Sequence, residues 1–136
     1  MVRVKKQSLA EKNQLELALP SIIAAREIEK IVMDWYYQQA RIYFRKRIKY
    51  FSEKLRVTCP QLRLSHARTQ WGSCDMRGIV HLNWRLIHLS IRLVDYVIAH
   101  ELSHLIEMNH SSAFWRTVES ICPDYLAVRD ELKGIG

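Results

Sequence analysis

Five consecutive residues, His100-Glu101-Leu102-Ser103-His104, set two imidazoles and a carboxylate at a spacing that can hold and use a metal ion. On a helix, positions i and i+4 share one face, so His100 and His104 aim two nitrogen donors at a single cation. Glu101 lies about 100° around the axis from His100, outside that pair but beside a water that the cation would hold. The cation these donors suit is Zn²⁺, which takes neutral imidazole nitrogen, keeps a fourth position open at catalytic sites and lowers the pKa of its water to about 7. A neighbouring carboxylate can take that water's proton and pass it to a leaving amine. The expected chemistry is peptide-bond hydrolysis with Glu101 as general base.

A catalytic zinc needs a third protein ligand. His110 follows His104 after five residues, the spacing of extended H-E-x-x-H-x-x-G-x-x-H sites. Where those sites have a turn glycine this chain has Glu107, so the reversal is expected at Asn109. Glu119, on a following helix that packs back, is the rival ligand, as in sites with two His and one Glu. The same pentapeptide can arise in a helix by chance. Here it continues an apolar run, Tyr96-Val97-Ile98-Ala99, where a His-Glu-His set without a metal would be expensive to bury.

The helix that carries the motif is expected from Ile91 to about Met108. Ser90 caps it, and Leu93, Val94, Val97, Ile98, Leu102 and Leu105 form its apolar face. Asn109 reads as its left-handed terminator. Ser111 or Ser112 then starts a short helix through Phe114, Trp115, Val118 and Ile121, stopped by Pro123, and a last helix covers about Asp124 to Lys133 before Gly134. Upstream, Leu62, Leu64 and His66 alternate with Arg63, Ser65 and Ala67, as in a half-buried strand. Turn residues from Trp71 to Gly78 lead to a second alternation, with Val80, Leu82 and Trp84 opposite Ile79, His81 and Asn83. These elements predict a small antiparallel sheet in which Gly78–Asn83 offers an edge to an extended peptide. His66 and His81 read as surface or hydrogen-bonded histidines.

Residues 21–57 contain no Gly or Pro, and Ile28, Ile31, Val32, Trp35, Ile42, Phe44, Ile48, Phe51 and Leu55 recur at helical spacing, which predicts one long helix. Residues 1–20 read as a short arm, with Leu15, Leu17 and Leu19 able to alternate in a strand and Pro20 suited to the first turn of the helix. The chain is 136 residues long with 49% hydrophobic residues, which fits one globular domain. No run is long and apolar enough to span a bilayer, and the start lacks a secretory hydrophobic region, so a cytoplasmic location is expected. Cys59, Cys74 and Cys122 are odd in number and scattered, which fits small buried reduced thiols rather than a disulfide framework.

The net charge of +7 is unevenly spread: residues 1–57 hold 13 Lys/Arg against 6 Asp/Glu, whereas residues 58–136 hold 8 of each. Arg41, Arg45 and Lys49 form one stripe of the long helix, with Lys46 and Arg47 nearby. This is a solvated face or a contact for nucleic-acid phosphates.

Beyond these readings, the chain resembles the YgjP-like metallopeptidases, relatives of the SprT-like zinc proteases. Trp35-Tyr36 with Gln39-Ala40 resembles the family's helix before the catalytic core, and Trp71-Gly72-Ser73-Cys74 with Gly78 and Leu82-Asn83-Trp84-Arg85-Leu86 resembles its hairpin. Asp95-Tyr96-Val97, the H-E-x-x-H set, Asn109-His110-Ser111 and Phe114-Trp115 resemble its active-site helix and the segment after it, and Pro123-Asp124-Tyr125 its tail. The first 20 residues are shorter than the region members usually carry, and Gln70 stands where a basic residue is common. The resemblance implies zinc on His100, His104 and His110, with catalysis by Glu101.

The expectation is therefore an α+β domain with a zincin-like core (residues 58–136) that hydrolyses a peptide or protein substrate. The alternatives are a DNA-associated protease that uses Arg41, Arg45 and Lys49, and a non-catalytic zinc-stabilised binding module. Tyr96 is a candidate oxyanion donor or a buried aromatic, and Asp95 a group that orients a ligand His or favours the helix N-terminus.

Overall fold

The computed structural model describes residues 9–135, with side chains from residue 19 onward. Helix α1 spans Leu9–Leu55 and is followed by β1 (Leu62–Ser65), β2 (Gly72–Cys74), β3 (Val80–Asn83), a short 3₁₀ helix (Trp84–His88), α2 (Ile91–Ser103), α3 (Ser112–Ile121) and α4 (Tyr125–Ile135). The architecture is helix-rich α+β, as expected. Among the described residues no helix is long and apolar enough to cross a membrane.

Contacts divide the chain after Trp35 into two compact units. In the first, the strand expected over residues 14–19 does not form, because these residues lie in α1 and Pro20 sits inside that helix rather than in its first turn. Proline removes one backbone donor, and an exposed helix can leave the freed carbonyl to water. Ile28, Ile31, Val32 and Trp35, which recur at helical spacing, are 44–67% exposed. Helical periodicity reports which side chains share a face and not whether anything covers it.

The second unit, residues 36–136, holds the core. Ala40, Phe44, Ile48 and Phe51 form the buried stripe of α1, while Ile42 points outward. They join Val80 and Leu82 of β3, Val94, Ile98 and Leu102 of α2, Phe114 and Val118 of α3, and Val128 of α4 in one apolar cluster. Each of the larger side chains, fully removed from water, contributes roughly 1.5–3 kcal/mol.

The sheet is mixed, with order β1-β3-β2. The antiparallel pairing expected of the two alternating runs is corrected: β1 runs parallel to β3, with Leu62 beside Val80 and Ser65 beside Asn83, and the antiparallel partner of β3 is β2, in residues read from the sequence as a turn. Alternation predicts a strand's faces but not its direction. As the middle strand, β3 has no free edge, so the expected peptide-accepting edge at Gly78–Asn83 is corrected: the edge strands are β1 and β2. The β2–β3 turn is built by Asp75, whose Oδ1 accepts the backbone N–H groups of Arg77 and Ile79, and by Gly78 at φ +80°. Bonds from His81, Ile79 and Arg77 hold the Asp75 carboxyl well below the usual carboxylate range despite the opposing effect of desolvation.

Asn83 is 3% exposed. Its Oδ1 accepts the N–H of Arg85 to start the 3₁₀ helix, and its Nδ2 donates to the carbonyls of Ala67 and Gln70. Arg47 of α1 grips Asp95 of α2 through two 2.8 Å bonds. The three cysteines are unpaired as expected, although Cys59 is exposed rather than buried.

Candidate metal centre

Helix α2 presents Val94, Ile98 and Leu102 to the core, which turns His100, Glu101 and His104 toward the opposite surface. The helix ends after Ser103 instead of reaching Met108. The buried Ser103 hydroxyl donates to the Ala99 carbonyl at 2.7 Å, and the following amides of His104, Leu105 and Ile106 reach back three residues rather than four. Such tightening is how a helix commonly closes its last turn. His104 is thus the C-cap in right-handed geometry. Among the described non-glycine residues only Arg56 has positive φ, so Asn109 is not the left-handed terminator that the sequence suggested. The early exit leaves residues 104–111 to carry His110 back over the helix before Ser111 caps α3 through the Phe114 amide.

His100, His104 and His110 each offer a ring nitrogen, and these atoms lie within 4.8 Å of one another. The Nε2 atoms of His104 and His110 are 3.1 Å apart. His104 Nδ1 is 3.2 Å from the Glu107 carbonyl, a partner that can only accept. The proton therefore sits on Nδ1 and the Nε2 lone pair faces the other rings. Burial, helped by the two neighbouring imidazoles, pushes His100 down to about 4, and burial also lowers His104. Both rings are neutral near pH 7, the form that ligates a metal. His100 Nδ1 is buried without a hydrogen-bond partner.

Phe114, fully buried, backs all three imidazoles, with ring centroids 4.5–5.0 Å away and its plane nearly parallel to that of His104. Trp115 flanks His100 and His110. Both were legible as apolar helix positions, but nothing in their spacing marked them as walls of the site.

Glu101 is 6% exposed and its Oε1 is 4.0 Å from His104 Nε2. Burial pushes its carboxyl up to about 7. Gly72 of β2 explains how the strand comes so near: a Cβ there would lie 2.9 Å from Val97 Cγ1 and 3.2 Å from Glu101 Oε2. The sequence marked Gly72 only as turn chemistry, whereas it is the close-approach residue between sheet and helix.

A cleft of about 280 Å³, lined by Gly72, Ser73, Cys74, Glu101, Met108 and the three histidines, opens over the nitrogens. The donor set fits a metal ion: three imidazoles, one with its tautomer fixed from behind, an open side facing the cleft, and a carboxylate beside it. Glu119 is not part of this cluster and lines a separate cleft with Trp115, Arg116 and Arg129.

Other expected residues have different roles. Asp95 is taken by Arg47 and orients no histidine. Arg47 is correspondingly withdrawn from the basic face, on which Arg45 and Lys49 are exposed and Arg41 half-buried. Tyr96, 5% exposed, packs the edge of its ring against His100 and shares a small cleft with Trp71, Gly72 and Glu101. Burial pushes its hydroxyl up to about 12, so it keeps its proton. His81 pairs with Asp75, and His66 meets the ring of Tyr37.

A family model described as a YgjP-like metallopeptidase domain matches residues 2–134. No curated protein matches the chain. Among solved structures, the fold is similar to the metallopeptidase zymogen of Pyrococcus abyssi abylysin, with a TM-score of 0.61 and 23% identity over 65% of this chain and 90% of that one. It is also similar to the metallopeptidase zymogen of Methanocaldococcus jannaschii jannalysin, with a TM-score of 0.54 and 17% identity over 65% of this chain and 96% of that one.

Proposed function

The chain belongs to the YgjP-like metallopeptidase family, and from that premise we propose a zinc-dependent peptidase in which His100, His104 and His110 hold the ion and Glu101 is the general base. The observation that carries this reading is the convergence of three imidazole nitrogens within 4.8 Å beside a buried carboxylate.

A bound zinc ion supplies a Lewis acid for the scissile carbonyl and for a water of lowered pKa. Glu101 accepts a proton from the attacking water and returns it to the amine nitrogen as the C–N bond breaks. Its position suits both halves of that task, because its carboxylate lies 4.0 Å from His104 Nε2, beside the place where the ion and its water would be held. The free edge of β2 at Gly72–Cys74 runs along the same cleft, so an extended substrate can add to it as a further strand. The DNA-associated alternative rests on the charge stripe alone, and Arg47 beside that stripe is already committed to Asp95.

The test is metal content together with turnover. Roughly one zinc per chain is expected, with hydrolysis of an unfolded protein abolished by a chelator and restored by Zn²⁺. A protein that binds no zinc, or cleaves equally well after chelation, would overturn the assignment.

A further inference from the structure

A cleft of about 520 Å³ in the second unit lies outside the histidine cluster and is used by none of the chemistry above. Its lining includes Arg68, Thr69 and Gln70 of the β1–β2 loop and Arg85 of the 3₁₀ helix. Among the described residues neither arginine has an ion-pair partner, and Arg85 only lies over the Trp84 ring at 5.1 Å. Residues 58–136 hold equal numbers of basic and acidic side chains, so this pair is a local concentration of positive charge rather than a general basicity.

The cleft is held in shape from beneath. Buried Asn83 donates from Nδ2 to the carbonyls of Ala67 at 2.7 Å and Gln70 at 3.1 Å, and the Trp71 carbonyl accepts the Asn83 backbone N–H at 2.8 Å. A loop anchored at three carbonyls presents its arginines without first having to be ordered. Trp71 also walls the small cleft that contains His100 and Glu101, so the arginine cleft and the histidine cluster meet at one side chain. Strand β2 leads directly from Trp71 into the histidine cleft. A peptide paired along β2 advances about 3.3 Å per residue. A peptide that follows β2 out of the histidine cleft therefore runs toward Trp71 and the arginine cleft beside it.

We propose that this cleft is a specificity subsite for an acidic side chain, Asp or Glu, of the peptide substrate. A carboxylate matches the forked donors of a guanidinium in two-bond geometry, which a neutral amide of the same shape cannot reproduce with charge. The inference rests on the peptidase reading for its substrate and adds to it which peptides are chosen.

The test compares two peptides that differ only in Glu against Gln, placed one or two residues from the cleaved bond. The zinc-loaded enzyme should favour the Glu peptide about tenfold in kcat/KM at low salt, since two partly exposed pairs contribute up to roughly 1 kcal/mol each. The preference should shrink as salt is added. Arg68→Ala with Arg85→Ala should bring the ratio to about one, and Arg68→Glu with Arg85→Glu should turn it toward a Lys peptide. A ratio near one in the unaltered enzyme, or one that the arginine changes leave in place, overturns the subsite while leaving the peptidase reading intact. Binding to the zinc-loaded Glu101→Gln protein separates the opposite case. If the unaltered enzyme cleaves neither peptide yet this variant binds the Glu peptide about tenfold better, and loses that margin with the arginines, the subsite stands and the peptidase reading fails. Binding of neither peptide overturns both.

Discussion

His104 and His110 point their Nε2 atoms at each other across 3.1 Å. Because His104 spends its ring proton on the Glu107 carbonyl, its Nε2 offers a bare lone pair. Something positive must lie between the two rings: a proton on His110 or a cation that all three imidazoles share. Two ligands of a tetrahedral zinc with bonds of 2.0–2.1 Å are about 3.3 Å apart, close to the spacing found.

Zinc should therefore bind at about one equivalent per chain and raise the melting temperature by several degrees when in excess over its dissociation constant. His100→Ala and His110→Ala should each abolish stoichiometric binding, measured by elemental analysis after gel filtration, while Glu119→Ala should retain it. Zinc that survives His110→Ala but is lost in Glu119→Ala would exchange the third ligand.

Glu101→Gln keeps the shape of the side chain and removes the proton acceptor. The expected outcome is full zinc content with kcat lowered by about 10²–10⁴. A non-catalytic binding module would be indifferent to this change, so equal behaviour of the two proteins would favour that alternative.

Gly72→Ala tests the contact between sheet and helix. The added carbon would lie 2.9 Å from Val97 Cγ1 and 3.1 Å from Glu101 Cγ. Strand and helix must separate by a few tenths of an ångström, at a cost of roughly 1–3 kcal/mol, and Glu101 moves with them. Denaturant melts should show the destabilisation, and kcat should fall further than zinc affinity. Unchanged kcat would show that the position of Glu101 does not depend on β2.

How much of this was legible in the sequence follows from the range of the interactions involved. The spacing of His100, Glu101 and His104 is a local property of a helix, and the apolar face that turns them outward is read from the same few residues. His110 could be nominated by spacing, although its path was misjudged, because the helix ends through the back-bonding of Ser103 rather than at Asn109. Phe114 and Gly72 matter through what lies across from them in space, and no period in the sequence encodes that. The parallel placement of β1, the Arg47–Asp95 tie and the exposure of residues 19–32 of α1 depend likewise on tertiary partners.

The pH response of the metal-free protein should isolate Glu101. Burial raises its carboxyl to about 7 in the folded state, above its ordinary value near 4.5. A group raised on folding stabilises the fold most below its unfolded pKa, and that contribution is lost as pH rises through the folded value. The histidines act in the opposite sense: His100, held down to about 4, destabilises the fold as pH falls below about 6.5. A plain melting curve mixes the two trends, whereas the difference between Glu101→Gln and the unaltered protein in chelator cancels the histidines. That difference should shift in favour of the Gln variant from pH 4.5 to 7, by on the order of 3 kcal/mol at most, and level off above. Zinc should erase the trend, because a cation beside the carboxylate favours its ionised form and removes the penalty of burying it. A variant difference that is flat with pH in chelator would mean that water reaches Glu101 and that its carboxyl titrates as an ordinary one.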